Sequence, residues 1–301
     1  MRARTANATG SSLTSAYRFA PSPNGYLHLG HALSAFDGFE KAKKADGRFL
    51  LRIEDIDTAR CREEFVAAIF EDLAWLGLTW ETPVLKQSEH FSRYRAVANT
   101  LSAMGVLYPC FATRSEIAVA ALRAPIGFDP DGAPLYPGLH KRLSKSEIEK
   151  RINDREPFAL RLDMEKALLV ARGKLDGRPL TFVEIDEQGN RETVTASPEV
   201  WGDAILVRKE TPTSYHLSVV TDDALQGITC VTRGRDLYAS TGLHRLLQVL
   251  LGLPEPDYSH HRLLTMSDGR KLAKSVGDTS LRDLRASGAT SDSIRAMLQL
   301  R

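Results

Sequence analysis

Tyr17-Arg18-Phe19-Ala20-Pro21-Ser22-Pro23-Asn24-Gly25-Tyr26-Leu27-His28-Leu29-Gly30-His31 opens on alternating polar and apolar residues and then meets a cluster of Pro, Ser, Asn and Gly. Alternation predicts a short strand, and the cluster after it a turn-rich loop. From His28 onward Leu29, Ala32, Leu33, Phe36 and Phe39 recur at helical spacing. Lys41, Lys43 and Lys44 sit near the end of that helix, where cations suit the dipole, and Gly47 ends it. Arg48-Phe49-Leu50-Leu51-Arg52-Ile53 reads as a second strand. Strand, loop, helix and strand in that order make a βαβ unit, which predicts an α/β fold built on a parallel sheet.

Further along, Phe65, Ile69, Leu73 and Leu76 mark one face of a helix from about Glu63 to Leu76, closed by Gly77. Another helix runs through Arg93 to Met104 and stops at Gly105. From 108 to 196 the chain changes character. Short strands alternate with turns such as Asp129-Pro130-Asp131-Gly132 and Leu175-Asp176-Gly177-Arg178-Pro179, which reads as an inserted α+β subdomain. Ala204-Ile205-Leu206-Val207 and Tyr215-His216-Leu217-Ser218-Val219-Val220 return as apolar strand candidates, and Thr241 to Leu251 reads as a helix. The chain thus divides into a flexible tail (1–16), the first half of a nucleotide-binding sheet domain (17–107), the insertion (108–196), the second half (197–252), and a loop with short helices (253–301).

The 301 residues are 43% hydrophobic and 26% charged, enough to bury a substantial core over about two domains. The net charge of +2, from 40 basic and 38 acidic residues, does not announce a nucleic-acid binder. Any RNA contact needs a local basic face; Arg60, Arg62, Lys141 and Arg142 are the candidates. Cys61, Cys110 and Cys230 are odd in number and far apart, which argues against a disulfide framework and suits a reducing, cytoplasmic setting. No apolar run reaches the roughly 20 residues of a membrane helix, and no secretory signal pattern is present. A monomer is the expected state.

Two segments carry the chemistry. Backbone amides at a helix N-terminus point at incoming anions, so His28-Leu29-Gly30-His31 suits a polyphosphate. Gly30 lets a nucleotide lie close to the backbone, and two imidazoles on one helix face donate to phosphate oxygens as charge builds. Ser267-Asp268-Gly269-Arg270-Lys271-Leu272-Ala273-Lys274-Ser275 adds a glycine-containing loop with three cations. Together they predict ATP-dependent activation of an acid.

The Tyr17–His31 segment closely resembles the opening of class I glutamyl-tRNA synthetases. So do Leu51-Arg52-Ile53-Glu54-Asp55-Ile56-Asp57-Thr58, Tyr215–Ala224, Val231-Thr232-Arg233-Gly234-Arg235-Asp236-Leu237 and Lys271–Ser275, in the family's order. The resemblance implies a class I synthetase-type Rossmann (HUP-like) sheet with an inserted subdomain. Only 26 residues follow Ser275, too few for an independent anticodon-binding domain. This shorter form resembles the glutamyl-queuosine tRNA(Asp) synthetase family. That family activates glutamate without tRNA and esterifies the queuosine at the wobble position of tRNA(Asp). An ordinary glutamyl-tRNA synthetase charging the tRNA 3′ end, and an idle paralogue that only binds RNA or amino acid, are the competing readings.

The resemblance implies roles. Arg18, Phe19, Ala20, Pro21, Ser22, Glu54, Tyr215 and Arg233 form a glutamate pocket, with Glu54 facing the α-ammonium and Tyr215 as hydroxyl and wall. Either Arg18 or Arg233 can grip a carboxylate bidentately, while an Arg18–Glu54 ion pair between neighbouring strands is the structural alternative. Pro21, Gly30, Lys271, Lys274 and Ser275 bind ATP with Mg²⁺; His28, His31 and Lys274 are catalytic, Lys274 steadying the leaving pyrophosphate. Ala273 stands where the family loop has Ser. Relatives often hold zinc with Cys-x-Cys and Tyr-x-x-x-Cys; here those positions read Cys110-Phe111-Ala112 and Tyr136 to His140. Cys110, Tyr136 and His140 make a poor set for a structural zinc, so none is expected.

Overall fold

The computed structural model describes residues 14–264 and 279–300. The βαβ unit forms as the pattern predicts: β1 (Ala16–Phe19), α1 (Leu29–Lys44) and β2 (Arg48–Ile53), with β1 and β2 parallel and Arg18 opposite Leu50. Ala16, placed in the tail by the sequence reading, is the first residue of β1. After α2 (Glu63–Trp75), β3 (Glu81–Lys86) joins the far side of β2, again in parallel, and α3 (Phe91–Ala103) follows. Gly77 and Gly105 lie just beyond α2 and α3 at φ of +78° and +72°, the left-handed turn that ends a helix and that a side chain would strain.

The middle of the chain holds β4 (Leu107–Cys110), α4 (Arg114–Arg123), α5 (Lys145–Asn153), β5 (Ala159–Leu162), α6 (Met164–Lys174), β6 (Thr181–Ile185), β7 (Arg191–Thr195) and β8 (Ile205–Val207). Its strands serve two sheets. β5 lies between β4 and β8, antiparallel to both. β6 and β7 form a hairpin, and β6 also runs parallel to β10 (Asp257–His261), which follows α7 (Tyr215–Leu225), β9 (Cys230–Gly234) and α8 (Ser240–Leu251). The resulting order is β7-β6-β10-β9. Asp129 organises the tip of the turn that the sequence predicts by accepting backbone N–H groups, and Asp186 does the same in the β6–β7 hairpin.

Two sequence expectations are overturned. Asp257 to His261, read as part of a terminal loop, is β10, an inner strand between β6 and β9. Tyr215–Val220 reads as a strand, but the chain from Tyr215 to Leu225 is helix α7, with Ser214 as its N-cap. Every residue from Leu217 to Asp223 is buried, so no solvent face imposes the helical period that would have revealed it.

The β1-β2-β3 sheet meets the β7-β6-β10-β9 sheet where β1 passes β9: Thr229 N–H donates to Ala16 O at 2.9 Å. α1 packs over this seam at close range. A Cβ on Gly38 would stand 2.9 Å from Thr232 Oγ1 and 3.1 Å from the Phe49 ring, so only glycine permits the approach. The result sets the N-terminus of α1 above the carboxyl ends of β1 and β9, where ligands of open parallel sheets bind. One apolar core gathers α1, β2 and α2, and it includes Leu281 of α9 (Leu281–Ala286) and Ile294 of α10 (Ser291–Met297). The final helices therefore close on the first half of the chain, and Leu281 N–H donates to Leu27 O at 2.7 Å, just before His28. A second core surrounds α8. Among the described residues no helix is long and apolar enough to cross a membrane.

Candidate active site

A cavity of about 520 Å³ opens at the carboxyl ends of β1 and β9, under the start of α1. Arg18, Phe19, Ala20, Pro21, Ser22, His28, Gly30, His31, Glu54, Tyr215 and Arg233 all line it. Residues nearly 220 positions apart in sequence thus converge on one volume. Lys271, Ala273, Lys274 and Ser275 lie outside the described residues.

His28 and His31 lock each other. His28 Nδ1 accepts Gly30 N–H at 3.0 Å, while His31 Nδ1 accepts His28 N–H at 3.1 Å. This is a capping box made of imidazoles. It corrects the expectation that the first amides of α1 point outward at an anion, because the Gly30 amide is already bonded to the His28 ring. With both Nδ1 atoms accepting, both rings carry their proton on Nε2 and keep it as a donor. Burial, and then the neighbouring His28, hold His31 down to about 3, so it is neutral at any ordinary pH. Gly30 also acquires a different reason: a Cβ there would stand 2.9 Å from His28 Cε1. Gly30→Ala is expected to displace the His28 ring, keep the fold, and cut turnover by about 10²-fold, the cost of misplacing a donor by about 1 Å. Pyrophosphate exchange beside thermal melting measures both.

Below the histidines lies a buried charge cluster. Arg18 donates to Asp223 from Nε (2.9 Å) and Nη2 (3.3 Å), and from Nη1 to Thr232 O (3.1 Å). Arg52, fully buried, donates to Asp223 (2.8 Å) and to Glu54 Oε1 (3.0 Å). The Arg18–Glu54 alternative is thereby corrected: Arg18 pairs with Asp223, and Glu54 with Arg52. Burial alone would raise the Asp223 carboxyl, but the Arg18 and Arg52 charges and their bonds overcome it and hold the group below its ordinary value. Burial outweighs the same arginines at Glu54, whose carboxyl lies above its ordinary value. Two guanidinium groups and two carboxylates balance. Sequence reasoning missed Arg52 and Asp223 as site residues. Their signal was present, since a charge inside an apolar strand or helix must find a partner.

Arg233 differs. It is 4% exposed, and among the described residues it forms no ion pair with any carboxylate. Its partners are neutral acceptors: His260 Nε2 at 3.1 Å, His244 Nδ1 at 3.2 Å, Thr241 Oγ1 at 2.7 Å and, more weakly, Tyr215 Oη at 3.5 Å. Four of the five N–H groups of the guanidinium are engaged, which leaves one N–H, on Nη2. The positive charge itself stays unbalanced.

Cys110, Tyr136 and His140 do converge, but upon one another. The Cys110 thiol donates to Tyr136 Oη at 3.3 Å, which also accepts His140 N–H at 2.8 Å. His140 Nδ1 accepts the Phe111 and Ala112 amides at 3.1 and 3.0 Å. The Arg161 guanidinium lies 3.9 Å from the Tyr136 ring centroid, a cation where a metal would bring another. This donor set does not fit zinc. Among the described residues no group of three or more His, Cys, Asp or Glu is placed to hold a metal. Purified protein is expected to carry no stoichiometric zinc and to melt at the same temperature with or without a chelator; about one zinc per chain by elemental analysis would refute this. Of the basic residues suggested for RNA, Lys141 bonds Asp163 and Asp203, Arg60 bonds Asp57, and Arg62 bonds Glu64.

The model of the family tRNA synthetases class I (E and Q), catalytic domain, matches residues 16–301. A glutamyl-Q tRNA(Asp) synthetase of Rhodobacter capsulatus is 42% identical over 94% of this chain and 99% of its own length. Another, from Symbiobacterium thermophilum, is 38% identical over 92% of this chain and 83% of its own. Among solved structures, a glutamate tRNA ligase of Elizabethkingia meningosepticum in complex with its amino acid superposes with a TM-score of 0.69 at 25% identity, covering 92% of this chain and 54% of that one. With the cavity, the paired histidines and the parallel sheet in place, the chain belongs to the class I tRNA synthetases of the E and Q family, beside the glutamyl-Q tRNA(Asp) synthetases, and is a ligase.

Proposed function

We propose that the chain activates L-glutamate with ATP as glutamyl-adenylate, without needing tRNA, and transfers the glutamyl group to the queuosine base of tRNA(Asp). The carrying observation is the charge pattern of the cavity. A buried Arg233 without a carboxylate of its own lines the same volume as Glu54, both of whose Arg52 bonds fall on Oε1. Glutamate matches this pattern. Its side-chain carboxylate meets Arg233 and the Tyr215 hydroxyl, and its ammonium meets Glu54 Oε2. Arg18, with three N–H groups bonded, keeps two for the α-carboxylate and holds it for in-line attack on the α-phosphate.

The carboxylate oxygen forms a bond to phosphorus as the bond to the pyrophosphate oxygen breaks, so pyrophosphate leaves with that electron pair. The Nε2–H groups of His28 and His31 donate to phosphate oxygens as charge builds there. Lys274 steadies the leaving pyrophosphate, and Lys271, Ser275, Pro21 and Gly30 complete the nucleotide site. Mg²⁺ bound with the nucleotide would offset phosphate charge.

The queuosine acceptor is favoured by relatives matched over 82–99% of their own length, which carry the glutamyl-Q name. Charging queuosine-containing and unmodified tRNA(Asp) tests it. Glutamate is expected on the modified tRNA alone, with pyrophosphate exchange proceeding in the absence of any tRNA. Equal charging, or esterification at the 3′-terminal adenosine, would refute the acceptor; absent exchange would favour a protein that only binds.

A further inference from the structure

Three of the four groups that hold Arg233, namely His260, His244 and Thr241, do not line the cavity. A guanidinium only donates, so His260 Nε2 and His244 Nδ1, facing it at 3.1 and 3.2 Å, must both be bare acceptors. That fixes both tautomers. His260 carries its proton on Nδ1 and donates it to Glu184, whose oxygens lie 3.0 and 2.9 Å away. His244 carries its proton on Nε2 and donates it to His216 Nδ1 at 3.1 Å. Thr241 accepts from Arg233 Nη2 and turns its own hydroxyl toward His260 Nε2 at 3.4 Å. Two relays therefore radiate from one guanidinium, one ending on a carboxylate and the other on a second ring. Burial, and then the Arg233 charge, holds His244 and His216 below the ordinary imidazole value, and at His260 burial outweighs the opposing Glu184 bond, in keeping with neutral rings.

We infer that His260 and His244 are positioning residues for amino-acid recognition: as neutral acceptors they fix the Arg233 guanidinium, while leaving its charge for the carboxylate of the substrate. The inference rests on the proposed role of Arg233. The contrast with Arg18 shows what the arrangement achieves. Arg18 is held just as firmly, but by Asp223, which cancels its charge. Glu184 sits one imidazole away from Arg233, close enough to polarise His260 and improve it as an acceptor, without occupying the guanidinium itself. A carboxylate in direct contact would compete with the substrate for the same cation.

The test is ATP–pyrophosphate exchange with the full chain and its His260→Gln, His260→Leu, His260→Glu and Glu184→Gln variants, with thermal melting beside it. Gln keeps an acceptor, Leu removes it, and Glu supplies a competing charge. His260→Leu and His260→Glu are expected to raise KM for the amino acid by about tenfold or more, the effect of losing or quenching one charge-assisted bond, with KM for ATP within about twofold. His260→Gln should stay within about threefold of wild type. Glu184→Gln, further from the core, should raise the amino-acid KM by a few-fold and serves where a His260 variant fails to fold. Parallel rises for ATP and amino acid, or a Gln variant as impaired as Leu at equal melting temperature, would overturn the inference. Wild type is first run with glutamate, glutamine and aspartate. Should an amino acid other than glutamate support exchange, the glutamate reading falls, and the same variants are compared on that amino acid.

Discussion

Arg233→Met is expected to lower kcat/KM for glutamate by about 10²–10³-fold in pyrophosphate exchange, with KM for ATP nearly unchanged. Removing one partner of a desolvated, hydrogen-bonded charge pair costs about 2–5 kcal/mol, and about 1.4 kcal/mol corresponds to tenfold. The effect falls on the substrate because no internal carboxylate is left bare: the groups that lose a donor are His260, His244, Thr241 and Tyr215, all neutral. Stability should therefore fall by only about 1–3 kcal/mol, the cost of orphaned acceptors. Arg233→Lys keeps a cation but not the fork that spans His260, His244 and Thr241, and should lie between wild type and Met. A Met variant with near-normal glutamate KM, or one that loses ATP and glutamate together, would remove Arg233 from the amino-acid site.

His28, Gly30 and His31 were legible from local pattern, whereas Arg18, Glu54, Tyr215 and Arg233 were reached through the family resemblance. The strand, the Pro-Ser-Pro-Asn-Gly loop and the helical spacing after His28 are near-neighbour signals. They placed β1, α1 and β2 to within a residue or so. Two kinds of information were not local. The first is whether a buried apolar segment is strand or helix. Val219 and Val220 favour a strand on intrinsic grounds, but tertiary burial on every side overrides them in α7. A sharper reading of Ser214 as an N-cap would have favoured the helix. The second is which charge answers which. Nothing near Arg18 in sequence points to Asp223, 205 residues away, and the βαβ order alone does not bring α7 beneath β1. The same limit hid the histidines around Arg233, which come from β10, α7 and α8. Capping boxes at Thr113/Glu116 and Ser144/Glu147 were readable from spacing, and they explain why α4 and α5 form in a segment expected to hold mainly short strands.

Asp223→Ala is expected to do the reverse of Arg233→Met, costing stability first. Asp223 accepts from Arg18 Nε and Nη2 and from Arg52 Nη1 at 2.8–3.3 Å, in a site where Arg18 is 4% and Arg52 0% exposed. Without it, Arg52 retains Glu54 and Gln226, but Arg18 retains only the Thr232 carbonyl. Breaking a buried pair from one side costs about 3–5 kcal/mol, a large part of the 5–15 kcal/mol typical of a folded protein. Asp223→Asn should recover little, because its amide turns an N–H₂ toward groups that only donate. The acid limb carries a second signature. A carboxyl held below its unfolded value contributes stability that is complete above that value, near 3.8, and is lost as pH falls through the lower folded value. The unfolded form binds the proton first, so wild-type stability should decline as pH drops below about 4, and Asp223→Ala should lack that part of the slope. Urea unfolding of both proteins at pH 7 and across the acid range measures the two effects together. A loss smaller than about 1 kcal/mol at pH 7, within the range of an exposed ion pair, would show that Arg18 and Arg52 do not depend on Asp223 and that the cavity floor is held by other means.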